Sequence, residues 1–103
     1  MLVEMRRYTL KPGRSEEFVS WFEEEVRPAM EEAGMRILGT FTAVDDPDVF
    51  IYLRGFVSPA EHDRLTDAFY QSPVWTERMR ARALDMELDY QVELVRSTPG
   101  SPI

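Results

Sequence analysis

The segment from Met35 to Phe56 constrains the fold more than any other part of the sequence. Met35 to Val44 and Val49 to Phe56 are rich in β-branched and aromatic residues, and only the acidic turn Asp45-Asp46-Pro47-Asp48 separates them. Two such runs joined by a short turn predict an antiparallel β-hairpin. The other elements must therefore pack against this hairpin.

The chain before the hairpin has one strand pattern and one helix pattern. Leu2 to Leu10 is predicted to be a strand, which Lys11-Pro12-Gly13 ends. Ser15 is expected to cap a helix that ends at Gly34. Pro28 lies inside this helix and has no backbone N–H to donate, so we expect a kink or a separate last turn there.

The chain after the hairpin has two helix patterns and a last strand. Ser58-Pro59-Ala60-Glu61 has the residues of a capping box and predicts a helix to about Tyr70. Ser72-Pro73 repeats the start signal and predicts a further helix to about Ala83. Glu87 to Arg96 is predicted to be the last strand.

The order of these elements is βαββαβ, with the last helix in two pieces. It predicts an α+β domain in which a four-stranded antiparallel sheet carries its helices on one face. We expect residues 1–97 to form this domain and residues 98–103, which are rich in Pro, Ser and Gly, to form a flexible tail.

The third predicted strand is apolar on both of its sides. Val49, Ile51 and Leu53 lie on one side, and Phe50 and Tyr52 lie on the other. An open sheet with helices on one face should have a polar outer face. A second copy of the chain covering the outer face would explain the pattern, so we predict a homodimer through the sheet.

Charge and composition exclude several classes of partner. The net charge is -7, with twelve basic residues scattered among nineteen acidic ones, so neither nucleic acid nor an anionic membrane is an expected partner. No apolar run spans a bilayer and the first residues are charged, which favours a cytoplasmic protein. With no cysteine and one histidine, neither a metal site nor another cofactor is predicted.

Charged and phenolic side chains are expected to meet on the face shared by the first and third strands. Glu4, Arg6 and Tyr8 alternate along the first strand, and Tyr52 and Arg54 have the same spacing on the third. In a catalytic interpretation, Arg54 and Arg6 hold an oxyanion while Glu4 or Tyr52 transfers a proton. The alternative is a buried structural Glu–Arg pair, with the tyrosines filling the core of the dimer.

Aromatic residues of the helices are expected to line a pocket for a planar ligand. The candidate ligand-binding residues are Arg6, Tyr8, Trp21, Phe69, Tyr70 and Trp75. Ordinary packing of helices on the sheet is the alternative explanation for these aromatic side chains. His62 lies beside Glu61, Asp63 and Arg64, and we expect it to face solvent.

Three motifs resemble the bacterial branch of the NIPSNAP family. They are Glu4-Met5-Arg6-Arg7-Tyr8-Thr9-Leu10-Lys11-Pro12-Gly13-Arg14, Tyr52-Leu53-Arg54-Gly55-Phe56 and Phe69-Tyr70-Gln71-Ser72-Pro73-Val74-Trp75, and the resemblance covers residues 3 to 96. The resemblance implies a dimeric α/β barrel, in which two ferredoxin-like subunits join sheet to sheet. The chain departs from the branch at Arg78-Met79 and Ala83, where His-Arg and Asn are common.

The resemblance does not select one activity. Proteins with this barrel include cofactor-free monooxygenases, lactone isomerases, polyketide cyclases and haem enzymes, and a shared fold does not transfer chemistry. One hypothesis is a cofactor-independent enzyme of bacterial specialised metabolism that acts on an aromatic or polyketide-like substrate. The other is a non-catalytic dimeric binding or accessory protein. A cavity between the sheet and the helices is required by the first hypothesis.

Overall fold

The computed structural model describes all 103 residues and contains one four-stranded sheet. The strands are β1 (Leu2–Leu10), β2 (Arg36–Thr42), β3 (Val49–Phe56) and β4 (Glu87–Arg96). Their order across the sheet is β2-β3-β1-β4, and every neighbouring pair is antiparallel. The predicted hairpin and the central pairing of the first and third strands are confirmed.

The helices follow the predicted βαββαβ order. They are α1 (Ser15–Trp21), α2 (Arg27–Glu32), α3 (Pro59–Gln71) and α4 (Arg80–Met86), with π-helical segments at Phe22–Val26 and Val74–Met79. The α+β class is therefore confirmed. None of the helices has the length and apolar character that crossing a membrane would require.

The first predicted helix is interrupted close to Pro28, as expected. A π-helical segment ends at Val26, and Pro28 lies in the first turn of α2, where a missing N–H is tolerated. Ser15 is not the N-cap, which is a correction: Arg14 holds that position without a side-chain cap. Arg14 instead donates to Glu17 at 2.9 Å across the first turn.

The start of α3 has the predicted capping arrangement. The N–H of Glu61 donates to the Ser58 hydroxyl oxygen at 3.1 Å, and the Glu61 carboxylate accepts from the N–H of Val57 at 3.1 Å. This arrangement fixes where α3 begins and therefore which of its side chains face the sheet. The last helix runs to Met86, three residues beyond the predicted end at Ala83.

The core lies between the helices and one face of the sheet. Phe18 and Phe22 of the first helix contact Phe50 and Tyr52 of β3, with ring centroids 5.3 Å apart for Phe18–Phe50 and 4.7 Å for Phe22–Tyr52. Tyr8 lies opposite Phe50 in the register of β1 and β3 and is also buried. This face carries the predicted site residues.

The outer face of the sheet has no helix over it. Ile51 and Leu53 are half-buried there, while Phe41 is 51% and Met5 38% exposed. The face is therefore more apolar than an open solvated sheet should be. The last residues lie at one end of it, where Ile103 borders a shallow groove with Leu53. The dimer and the flexibility of the tail stay predictions.

Candidate functional site

A buried ionic cluster lies where β1 and β3 pair. Glu4 and Arg54 are directly opposite each other and are 3% and 0% exposed. Arg54 donates to one oxygen of Glu4, and Arg6 donates to the same oxygen at 3.0 Å. The predicted meeting of a carboxylate and two guanidinium groups is therefore present.

The cluster keeps Glu4 ionised. Burial alone would raise the pKa of Glu4, but the positive charge of Arg54, the hydrogen bond with His62 and the charge of Arg6 together lower the pKa below its ordinary value of 4.5. Arg54 also donates to the Tyr70 hydroxyl at 2.9 Å, which ties the cluster to α3. Its Nε has no partner.

His62 belongs to this cluster, so the expectation that it faces solvent is wrong. Its Nε2 lies 2.6 Å from the second oxygen of Glu4, its Nδ1 lies 3.0 Å from Asp63, and its side chain is 14% exposed. His62 precedes Leu65 by three residues and Phe69 by seven, and both of those are buried on α3. That helical spacing indicates that His62 lies on the buried face of α3. The charged residues next to His62 in the sequence led to the opposite expectation.

The pairing of His62 predicts a specific pH dependence of stability. Burial alone would lower the pKa of His62, but its hydrogen bonds to Asp63 and Glu4 raise the pKa above its ordinary value of 6.5. This contribution to stability is present below 6.5 and is lost as the pH rises through the folded pKa. Glu4 acts in the opposite sense, because its contribution is lost as the pH falls below 4.5.

We therefore expect the free energy of unfolding to decline from slightly acidic to alkaline pH, and we expect His62→Gln to reduce this decline. Glutamine can still donate to Glu4 but cannot gain a charge. A charge-assisted hydrogen bond contributes about 1.5–3 kcal/mol to the free energy of unfolding, which is the largest change we expect. Urea denaturation of both proteins across this pH range measures it. An equally steep decline in His62→Gln would contradict the assignment.

A cavity lies between the sheet and the helices, where the sequence predicts one. Its volume is about 460 Å³, and 13 of its 16 lining residues are hydrophobic. Six of the predicted site residues line it: Arg6, Tyr8, Trp21, Tyr52, Tyr70 and Trp75. The cleft that ordinary packing would have filled is therefore open.

Three predicted site residues do not reach the cavity wall, which corrects their expected position. Glu4 and Arg54 lie behind it and contact Arg6 and Tyr70 instead. Phe69 is buried against Trp75, with ring centroids 5.9 Å apart. Glu4 and Arg54 thus act on the cavity by holding other side chains in place.

Arg6 is one of two cationic groups on the cavity wall, and Arg80 of α4 is the other. Its Nε donates to the Tyr8 hydroxyl at 2.8 Å and its Nη1 donates to Glu4 at 3.0 Å, whereas its Nη2 has no partner in the protein. The guanidinium also lies 5.4 Å from the ring centroid of Tyr90 and 5.9 Å from that of Tyr70. The Nη2 edge of a fixed guanidinium is therefore left for another group.

The phenols beside Arg6 serve as hydrogen-bond donors at neutral pH. Burial raises the pKa of Tyr8 and raises that of Tyr52 well above its ordinary value of 10.0. Their rings stack 5.9 Å apart, which further disfavours a second negative charge. Tyr52 on this wall therefore keeps its proton and can donate a hydrogen bond, but it cannot act as a base at neutral pH.

The cavity also contains residues that the sequence reasoning did not select. Glu87, Tyr90 and Val92 of β4 line it, together with Arg80 and Leu84 of α4. Glu87 is the first residue of β4 and pairs with Leu10 of β1. No group of three or more His, Asp or Glu side chains is arranged to hold a metal ion.

The antiparallel sheet covered on one face by helices defines the chain as a ferredoxin-like α+β protein with a cavity between the two layers. Residues 3–102 match the NIPSNAP family. The chain belongs to the NIPSNAP family, as the three sequence motifs indicated.

Solved structures support the fold assignment. A NIPSNAP domain protein from Burkholderia xenovorans is 17% identical with a TM-score of 0.90, covering 100% of both chains. A NIPSNAP family protein from Agrobacterium tumefaciens, described as having unknown function, is 18% identical with a TM-score of 0.90, covering 99% of this chain and 92% of its own. An antibiotic biosynthesis monooxygenase is 19% identical with a TM-score of 0.71, covering 96% of this chain and 100% of its own. No curated protein matches the chain.

Proposed function

We propose that the cavity binds a planar organic ligand, aromatic or polyketide-like, that carries an acidic oxygen, and that Arg6 holds this oxygen. The observation that carries the proposal is the unpartnered Nη2 of Arg6 on the wall of an otherwise aromatic cavity of about 460 Å³. A guanidinium fixed by two other hydrogen bonds binds an oxyanion with little loss of conformational entropy.

The shape and walls of the cavity support a ligand of this class. Small-molecule sites commonly have volumes of about 300–1,000 Å³ and apolar walls with a few polar groups. Tyr70 and Trp75 meet edge to face, with ring centroids 5.1 Å apart, and Trp21 lies on the same wall. Flat aromatic faces favour a ligand that is itself flat.

Two uses of the bound ligand follow from this proposal. In an enzyme without cofactor, Arg6 would stabilise a developing oxyanion and Tyr52 would donate a hydrogen bond to it. Such an enzyme would have a place in bacterial specialised metabolism, while the likeness to an antibiotic biosynthesis monooxygenase concerns the fold. In a non-catalytic binding or accessory protein, the same contacts would hold the ligand unchanged. Turnover of a bound compound separates the two uses.

The proposed assembly is a homodimer through the outer face of the sheet. Phe41 and Met5 are exposed there, and Ile51 and Leu53 are half-buried. A second copy of the chain is the occupant whose apolar face matches this one, because a two-fold dimer pairs a surface with itself.

Tryptophan fluorescence tests the binding proposal directly, because both tryptophans, Trp21 and Trp75, line the cavity. We expect naphthalene carboxylate to quench this fluorescence saturably and the uncharged carboxamide to bind more weakly. Arg6→Met should lower the affinity for the carboxylate at least about tenfold, because it removes a charge-assisted hydrogen bond.

The matched control is Arg78→Met, which removes an exposed guanidinium outside the cavity. This variant should bind the carboxylate as the original protein does. Circular dichroism checks that Arg6→Met is folded, and Glu4 retains Arg54 and His62 as partners in that variant. Equal affinity in Arg6→Met and the original protein would refute the role of Arg6.

A further inference from the structure

Glu87 places a second charged group on the wall of the cavity. It lies at the junction between α4 and β4 and is half-buried. Its carboxylate makes no hydrogen bond or ion pair within the protein. Arg6 is the only charged group that shifts its pKa. A half-buried carboxylate without a donor is costly to keep, and such groups occur more often at functional sites than elsewhere.

The groups around Glu87 in the cavity are cationic or phenolic. They are Arg6 and Tyr8 of β1, Tyr52 of β3, Tyr70 of α3, Arg80 of α4 and Tyr90 of β4. Of these, the two arginines carry a permanent positive charge. No other carboxylate lines the cavity. A proton that leaves a ligand inside the cavity therefore has one anionic acceptor.

We propose that Glu87 accepts the proton of an acidic phenol or enol when Arg6 binds the oxygen of that ligand. This inference rests on the proposed function, since it concerns the ligand that Arg6 holds. The ligand O–H bond breaks, its electron pair stays on the ligand oxygen, and a new O–H bond forms on the carboxyl group of Glu87. The net charge does not change, and the half-buried carboxylate is replaced by a neutral acid.

The titration of Glu87 suits this exchange. Burial raises the pKa of Glu87 to about 7, and the charge of Arg6 offsets only part of that effect. A carboxylate with an ordinary pKa would be too weak a base to take the proton of a phenol. At neutral pH, Glu87 can therefore either hold or release a proton.

The test measures the affinity for para-nitrophenol across a pH series, using the colour of its ionised form and the quenching of Trp21 and Trp75. In the original protein we expect the affinity to be greatest near neutrality and to fall about tenfold per pH unit on the alkaline side. On that side both the probe and Glu87 are ionised, so one of them must take up a proton before they share the cavity.

Glu87→Gln should change this profile in a direction that simple damage would not. The neutral amide imitates the protonated acid, so the affinity should rise with pH and then level off as the probe ionises. Above neutrality the variant should therefore bind para-nitrophenol about tenfold or more tightly than the original protein. Glu93→Gln, an exposed carboxylate of the same strand, should keep the original profile.

The outcomes separate the two proposals. Binding by both proteins with the same pH profile would overturn the role of Glu87 and leave the role of Arg6 intact. Binding by neither protein, with circular dichroism showing both folded, would overturn the proposed function and the role of Glu87 together. Weaker binding by Glu87→Gln at every pH would also refute proton acceptance, since that role requires the amide to bind the probe more tightly above neutrality.

Discussion

Replacing Glu4 with alanine is expected to lower the free energy of unfolding by about 3–5 kcal/mol, since breaking a buried ion pair leaves an uncompensated charge. Arg54 is completely buried, and Glu4 is its only carboxylate partner. Arg54 cannot escape by losing its proton, because a guanidinium stays charged in proteins. Urea denaturation with a constant slope measures the loss.

Two further variants identify the cause of that loss. Glu23→Ala removes a partly exposed carboxylate that pairs with Arg27 at 3.1 Å, and it should cost much less because water replaces the partner. The double variant Glu4→Leu with Arg54→Met should be more stable than Glu4→Leu alone, because neither charge is then left unpaired. A loss in Glu4→Ala no larger than in Glu23→Ala would contradict a buried cluster.

The cluster combines the two interpretations that the sequence left open. Glu4 and Arg54 form the buried structural pair, and they are absent from the cavity wall. Arg6 belongs to the same cluster and faces the cavity. The buried pair thus fixes the orientation of a guanidinium that faces the cavity, and stability and binding are linked through Glu4.

Periodicity was sufficient to predict the fold and the side chains that share a face. Alternation along β1 and β3 predicted that Glu4, Arg6 and Tyr8 share a surface with Tyr52 and Arg54. The register adds the pairs, with Glu4 opposite Arg54 and Arg6 opposite Tyr52. Alternation also showed that both sides of β3 are apolar, but the structure was needed to tell which face is open. These properties depend on local sequence, so a single chain is enough to infer them.

The cavity wall was harder to predict because it depends on how the helices lie over the sheet. His62 reaches Glu4 only because the capping arrangement at Ser58 orients the first turn of α3. The sequence pattern did not place Glu87 in the cavity, for a different reason. The register of β1 and β4 shifts between Thr9 and Leu10, so simple alternation back from Tyr90 would have placed Leu88, and not Glu87, in the cavity.

Replacing Ile51 with aspartate is expected to dissociate the proposed homodimer. Ile51 is half-buried on the open face of the sheet, opposite Arg7 of β1 and Phe41 of β2. A second copy on this face would remove Ile51 from water, so the aspartate would be a charge buried at the interface in each subunit, with Arg7 as the cation opposite it. A cost of at least about 3 kcal/mol corresponds to more than a hundredfold loss of affinity between subunits.

The separate subunit should survive this substitution, because water reaches position 51 when no partner covers it. Sedimentation should therefore show a dimer for the original protein and a folded monomer for Ile51→Asp, with circular dichroism unchanged. Val44→Asp is the matched control, since Val44 is 99% exposed in the turn after β2 and its replacement should leave the dimer intact. A stable monomer of the original chain at micromolar concentration would refute the dimer. The open apolar face would then need a different partner to explain why Ile51, Leu53 and Phe41 are not polar.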